Sequence, residues 1–148
     1  MTNSGEEFER LVEIVYRTLA SSERTTTVSR NVQLQGTDGV RQFDLVLESK
    51  FADEKFLTVV ECKDHSRPAT VELVDAFSSK MRDVGSSKGI IVTRNGFSRT
   101  ARQKAKRLGI SLYTVDTLQH QSRKRFSFIP VLVRHLQPQT IEHKIDVP

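Results

Sequence analysis

The sequence predicts a single α/β domain in which one helix precedes three strands and two further helix–strand pairs follow. Three segments carry apolar residues at helical spacing, and five short segments are rich in β-branched or alternating apolar residues. Turn residues separate these segments. The 148 residues are enough for one domain with a substantial hydrophobic core. We therefore expect the element order αβββαβαβ.

The first helix is predicted from Ser4 to Ala20, where five apolar residues share one face: Phe8, Leu11, Val12, Val15 and Leu19. Glu9 lies about 100° round the helix from Phe8, at the border of this face. Its carboxylate can therefore reach a site at the edge of the core. From this segment alone, an ordinary solvated glutamate remains the better interpretation of Glu9.

Three strands are predicted next, at 24–35, 41–48 and 56–63. Turn residues at 35–39 and a polar connection at 49–55 separate them. Short connections between consecutive strands favour an antiparallel meander.

The second of these strands carries an aspartate between apolar neighbours. Strand geometry predicts that Phe43, Leu45 and Leu47 share one face. Asp44 and Val46 are then expected on the opposite face. Because aspartate is depleted in strands, Asp44 calls for an explanation other than strand propensity.

Two helix–strand pairs complete the predicted domain. One helix begins after Thr70, a candidate N-cap, and stops near Gly85. The apolar run at 89–93 follows it and is expected to be a buried strand parallel to the third strand. A second helix runs from the candidate N-cap Ser98 to about Leu108, and a strand at 110–115 follows.

The composition excludes several classes of protein. No apolar run approaches the ~20 residues needed to cross a bilayer, and the acidic N-terminus lacks the apolar core of a secretory signal. The single cysteine excludes an internal disulfide and a zinc site built from several cysteines, and it fits a reducing compartment. We therefore expect a cytoplasmic protein with no membrane partner.

Charge is distributed unevenly along the chain. Residues 1–83 hold 15 acidic and 11 basic side chains, a balance of −4, whereas residues 84–148 hold 3 acidic and 12 basic, a balance of +9. This asymmetry predicts a polyanionic partner for the second half and favours nucleic acid, although a solvated basic surface is the alternative. The candidate DNA-binding residues are Arg94, Arg99, Arg102, Lys104, Lys106 and Arg107.

The chemistry is concentrated in the stretch TVVECKDH at 58–65, where Glu61 and Lys63 project from the same face of a strand otherwise suited to burial. Buried charges are costly unless they are paired or bind a metal. If the second and third strands are neighbours, Asp44 and Glu61 converge across ~5 Å. Two carboxylates with the backbone carbonyl of Cys62 suit Mg²⁺, with Mn²⁺ as a substitute. The thiol of Cys62 is expected in the core.

Such a metal site suits chemistry at a phosphate group. Bound Mg²⁺ polarises a phosphoryl oxygen and lowers the pKa of an attacking water. Lys63 would orient that water or neutralise the charge that develops on phosphorus. A simple ion pair between Glu61 and Lys63 on an exposed sheet is the alternative, but it explains neither the apolar flanks nor Asp44.

Asp44 followed by Glu61-Cys62-Lys63 resembles the D…ExK signature of the PD-(D/E)xK nucleases, although Phe43 stands where that family usually has proline. The flanking segments resemble its Mrr-type, type IV restriction endonuclease-like branch. They are GEEFERLV, DGVRQFDLVLE, VVECKDHSRPATVELVDAFSSKMRDVGSSKGIIVT and NGFSRTARQKAKRLGISLY. The resemblance covers roughly Gly5 to Tyr113.

The resemblance implies a restriction-endonuclease-like fold, a central mixed β-sheet flanked by helices, in a catalytic domain at 1–118. It also implies a Mg²⁺-dependent endodeoxyribonuclease, in bacterial restriction or phage defence, with Asp44, Glu61 and Lys63 as catalytic residues and Glu9 as support for the metal site. The alternatives are a structure-selective nuclease of the Holliday-junction or repair type and a catalytically silent DNA-binding domain.

Residues 119–148 are predicted to be a basic linker and C-terminal extension, either a flexible end or the start of a truncated module. No helix-turn-helix or zinc module is recognisable, so sequence specificity is expected to be low or to reside in an additional module or subunit. One site per chain must cut two strands, which predicts a homodimer.

Overall fold

The computed structural model describes residues 4–21 and 25–121. The elements are α1 (Ser4–Ala20), β1 (Thr26–Gln35), β2 (Val40–Phe51), β3 (Glu54–Lys63), α2 (Val71–Asp83), β4 (Lys88–Thr93), α3 (Arg99–Leu108) and β5 (Ser111–Thr114). The predicted element order is confirmed. Residues 115–121 are also helical, which extends regular structure into the predicted linker, and the rest of the predicted C-terminal extension lies outside the described residues.

The five strands form one mixed sheet in the order β1-β2-β3-β4-β5. The β1–β2 and β2–β3 pairs are antiparallel, and the β3–β4 and β4–β5 pairs are parallel. This confirms both the meander and the parallel strand at 89–93. The predicted central mixed sheet flanked by helices is therefore present.

The hairpin between β2 and β3 is longer than predicted. Its strands continue to Phe51 and resume at Glu54, so that the turn contains only Ala52 and Asp53. Ala52 has the positive φ of 54° that a tight two-residue turn requires. The predicted connection at 49–55 was too long because the polar side chains there lie on an exposed part of the hairpin whose backbone is still paired.

Helices cover both faces of the sheet and enclose two hydrophobic cores. One core lies between the sheet and α1; its buried members are Phe8, Val12, Val15, Tyr16, Val28, Leu45, Val60, Cys62, Val92 and Leu118. The other lies between the sheet and α2 with α3; its buried members are Phe43, Val46, Val59, Ala69, Val74, Phe77, Ile91, Phe97, Ala101, Ala105 and Ile110. Alternation along the strands supplies both cores from the same sheet.

The regular alternation of side chains along β2 is interrupted at Asp44, so that residues two apart across this point lie on opposite faces of the sheet. Leu45 packs in the α1 core, whereas Phe43 packs in the α2–α3 core. The predicted grouping of Phe43 with Leu45 and Leu47 is therefore wrong. Opposite this point, Asn31 of β1 has a φ of 53° and is left out of an otherwise continuous strand pairing. The irregularity of β2 at Asp44 therefore lies beside an irregularity of β1.

The helix ends match the predicted signals in part. The hydroxyl of Ser98 accepts a hydrogen bond from the Ala101 N–H and caps α3, and Gly109 ends this helix in the left-handed conformation. Thr70 occupies the N-cap of α2, but its side chain makes no capping hydrogen bond. No described helix is both long enough and apolar enough to cross a membrane.

Candidate active site

The candidate site begins where β2 and β3 separate. The last pair at this end is Leu45 with Val60, so that Asp44 and Glu61 are the first residues beyond the paired part of the two strands. Beyond this point the Asp44 side chain continues the connection, because its Oδ2 accepts a 2.7 Å hydrogen bond from the Cys62 N–H. The convergence predicted for Asp44 and the strand that carries Glu61 is therefore present. Both carboxylates therefore lie on neighbouring strands inside the five-stranded sheet.

Glu61 is held by two lysines. Its Oε1 lies 3.4 Å from Nζ of Lys63 on the same strand, and its Oε2 lies 3.0 Å from Nζ of Lys80 on α2. The Glu61 side chain is only 13% exposed, so these contacts form in a partly desolvated setting. The common face predicted for Glu61 and Lys63 is confirmed, and both oxygens of Glu61 are occupied by ammonium groups.

Asp44 is not electrostatically balanced in this arrangement. The pKa of its carboxyl is raised from 3.8 to about 6, chiefly by burial. The Cys62 N–H and Lys63 lower this pKa, and the nearby carboxylates of Glu61 and Glu9 raise it. A cation at this position would stabilise the charged carboxylate and so offset that shift. Hard oxygen donors are what Mg²⁺ prefers, so the two carboxylates and the backbone carbonyl of Cys62 fit the metal that the resemblance implies.

Glu9 is half-buried on α1, and its carboxylate forms an ion pair with Arg30 of the sheet. Its Oε2 lies 3.6 Å from Nη2 of Arg30 on β1, and the same guanidinium lies 3.8 Å from Glu6 and 4.0 Å from Glu13. In residues 4–21 and 25–121, no three acidic, histidine or cysteine side chains are arranged to hold one metal ion. Support of the metal by Glu9 therefore stays a prediction.

Two of these basic residues were not recognised as site residues from the sequence. Lys80 resembles any lysine near a helix C-terminus, and nothing in its spacing from Glu61 indicates a contact. Arg30 carried a weak signal, since a lone charged residue in a strand rich in Thr and Val often faces a partner. The Arg30 side chain is 17% exposed, and its Nε has no hydrogen-bond partner among the described residues.

Cys62 contributes its backbone to the site and its side chain to the core. The thiol is buried in the α1 core, and burial raises its pKa well above the ordinary value. A thiol in this setting is protonated and inert. The predicted core position of Cys62 is confirmed.

Loops at the carboxyl ends of β3 and β4 join beside the site. The backbone N–H of Arg94 donates to the Lys63 carbonyl, and Nε of Arg94 donates to the Asp64 carboxylate. The guanidinium also stacks 4.9 Å from the ring centroid of Phe8. Arg94 is exposed but held from two sides. In sheets with parallel strands, the crevice at the carboxyl ends is the usual ligand site.

The other predicted DNA-binding residues lie on α3. Arg99, Arg102, Lys106 and Arg107 are exposed, and Lys104 is half-buried and pairs with Asp75 of α2 at 3.1 Å. Only Ala101 and Ala105 are buried along this helix. The small inward side chains let α3 lie close to the sheet while its basic side chains face solvent.

Three solved structures of low sequence identity share this fold. Can2 from Sulfobacillus thermosulfidooxidans, solved with cyclic tetra-adenylate, is 16% identical, with a TM-score of 0.63 over 83% of this chain and 35% of Can2. The DNA modification-dependent restriction endonuclease AspBHI is 18% identical, with a TM-score of 0.57 over 95% of this chain and 34% of AspBHI. MspJI, solved with a 27-mer oligonucleotide, is 16% identical, with a TM-score of 0.55 over 93% of this chain and 30% of MspJI.

At these identities the likeness establishes the fold, and this chain spans about a third of the length of each neighbour. No curated protein sequence matches the chain. A family profile described as a restriction endonuclease, Mrr_cat, matches residues 1–121. That match covers more than half of the chain and includes every residue of the candidate site. The chain therefore belongs to the Mrr_cat restriction endonuclease family.

Proposed function

We propose that this chain is the catalytic domain of a Mg²⁺-dependent DNA endonuclease that hydrolyses phosphodiester bonds in bacterial restriction or phage defence, in the cytoplasm. The observation that carries the proposal is the hydrogen bond from the Cys62 N–H to Asp44. It sets Asp44 beside Glu61 and Lys63 at the point where two buried strands separate. No purely structural need explains three ionisable side chains at that point.

Asp44, Glu61 and the backbone carbonyl of Cys62 would hold the metal, for which Mn²⁺ can substitute. When bound, the metal supplies a Lewis acid for the phosphoryl oxygen and lowers the pKa of a water. Lys63 would neutralise negative charge that develops on the phosphorus oxygens. Glu9 would support the metal site from α1, where Arg30 sets the orientation of its carboxylate.

DNA would bind along Arg94 and the exposed basic side chains of α3. Arg94 is the residue of this set that lies beside the site, and its contacts with Asp64 and Phe8 limit its freedom before substrate binds. Cations of this kind contact phosphates, so affinity should be salt-dependent and largely independent of sequence. AspBHI and MspJI, which share the fold, are restriction endonucleases, in line with a DNA substrate for this chain.

A cleavage assay tests this function. Supercoiled, linear and branched DNA, each methylated and unmethylated, would be incubated with Mg²⁺, with Mn²⁺ or with EDTA. We expect cleavage that requires metal and is lost by at least a hundredfold in Asp44→Asn and in Lys63→Ala, in line with the loss of one transition-state contact. Asp53→Asn in the exposed turn and Lys55→Ala are the matched controls.

The assay also separates the alternatives. Preference for branched over linear DNA would favour a structure-selective nuclease. Binding without cleavage under every metal would indicate a catalytically silent DNA-binding domain, and cleavage in EDTA would refute the metal site. Light scattering of the DNA complex with Ca²⁺ tests the homodimer, which we propose because each chain offers one site for two strands.

A further inference from the structure

The contact between Lys80 and Glu61 joins α2 to β3, and Lys80 has no part in the proposed reaction. Nζ of Lys80 donates a 3.0 Å hydrogen bond to Oε2 of Glu61 and lies 4.7 Å from the ring centroid of Phe43. The Lys80 side chain is 26% exposed, so its ammonium is partly removed from water. Phe43 in turn packs edge-on against Phe77 at 6.4 Å.

We propose that Lys80 is a positioning residue for Glu61, which holds its carboxylate in the metal-free protein and must release it when a divalent cation binds. The inference rests on the metal site of the proposed function and adds a residue to it. Lys80 would thereby set the metal affinity of the site.

Glu61 offers a metal two carboxylate oxygens. Its two oxygens are both occupied, one by Lys63 and one by Lys80. A metal ligated by Glu61 sits about 2.0–2.1 Å from one of these oxygens if it is Mg²⁺. An ammonium that keeps its contact with the same carboxylate would then lie within a few ångströms of a dication, where repulsion is strong. Metal binding and the Lys80 contact therefore compete.

Lys63 and Lys80 differ in how they can respond. Lys63 is on the same strand as Glu61, and the 3.4 Å contact between them is the longer of the two. Lys80 comes from α2, and it rests on the face of Phe43, where an aromatic ring stabilises a cation. Phe43 therefore gives the Lys80 ammonium a favourable contact besides the one with Glu61.

Manganese binding without DNA tests the inference, measured by titration calorimetry on the wild type, Lys80→Met and Lys80→Arg. Methionine keeps an unbranched apolar side chain against Phe43 but carries no charge. We expect the Kd for Mn²⁺ to fall about five- to tenfold in Lys80→Met, equivalent to about 1–1.4 kcal/mol, and to change little in Lys80→Arg. Lys88→Met is the matched control, since Nζ of Lys88 donates to the Gly109 carbonyl at 2.9 Å and not to Glu61.

A thermal melt in EDTA supplies a readout that does not involve the metal. Lys80→Met should lower Tm in the wild-type background and have a smaller effect in a Glu61→Gln background, because the partner carboxylate is then gone. An unchanged or weaker Mn²⁺ affinity in Lys80→Met would overturn the role of Lys80 alone. Failure of the wild type to bind Mn²⁺ would overturn the proposed metal site together with it.

Discussion

Asp44→Asn should make the metal-free protein more stable. The pKa of Asp44 is raised from 3.8 to about 6, chiefly by burial. A carboxyl whose pKa is raised by folding binds its proton more tightly in the folded state, so folding loses stability as the pH rises through the window from about 4 to 6. Asparagine carries no charge, and its Oδ1 can still accept the hydrogen bond from the Cys62 N–H.

The size of the effect follows from the shift. Each pKa unit corresponds to about 1.36 kcal/mol, so the rise from 3.8 to about 6 is equivalent to about 3 kcal/mol. Because Asp44 keeps some contact with water, screening reduces this value. We expect Asp44→Asn to raise the free energy of unfolding by about 1–3 kcal/mol at pH 8 and to leave it unchanged near pH 4.

Urea denaturation in EDTA, followed by circular dichroism from pH 4 to pH 8, measures the difference between the two proteins. Asp53→Asn is the control for loss of one negative charge. Saturating Mn²⁺ should stabilise the wild type and not Asp44→Asn, so the difference should shrink or reverse. An Asn variant that is less stable than the wild type at pH 8 would refute the view that the charged Asp44 carboxylate destabilises the metal-free fold.

Two further predictions concern residues that surround the site. Arg30→Met should destabilise the fold by about 3 kcal/mol in urea denaturation, because the three glutamates that face Arg30 from α1 would lose their common partner in a partly buried setting. Arg10→Met on the exposed side of α1 is the control, and equal effects of the two variants would contradict the prediction. The Cys62 thiol should react with an aromatic disulfide reagent only at the rate of unfolding, because it is buried and its pKa is raised; prompt labelling of the native protein would contradict this.

Local signals account for most of the fold. The helical spacing of α1, the Ser98 cap and the left-handed Gly109 are properties of neighbouring residues, and each is present in the structure. Strand alternation failed beside Phe43, where Asp44 and the left-handed Asn31 opposite it interrupt the β1–β2 pairing. The hairpin after Ser49 was predicted too short for a related reason, since backbone pairing on an exposed extension leaves no apolar pattern in the sequence.

The order of elements and the position of Asp44, Glu61 and Lys63 on neighbouring strands could be predicted from the sequence, because periodicity and spacing along a strand are local properties. Which other side chains complete the site depends on tertiary packing. Lys80 meets Glu61, and Arg30 meets Glu9, across elements far apart in the chain. Those contacts depend on strand register, on the exchange of faces at Asp44 and on how the helices pack, and none of these is encoded in the spacing of single residues.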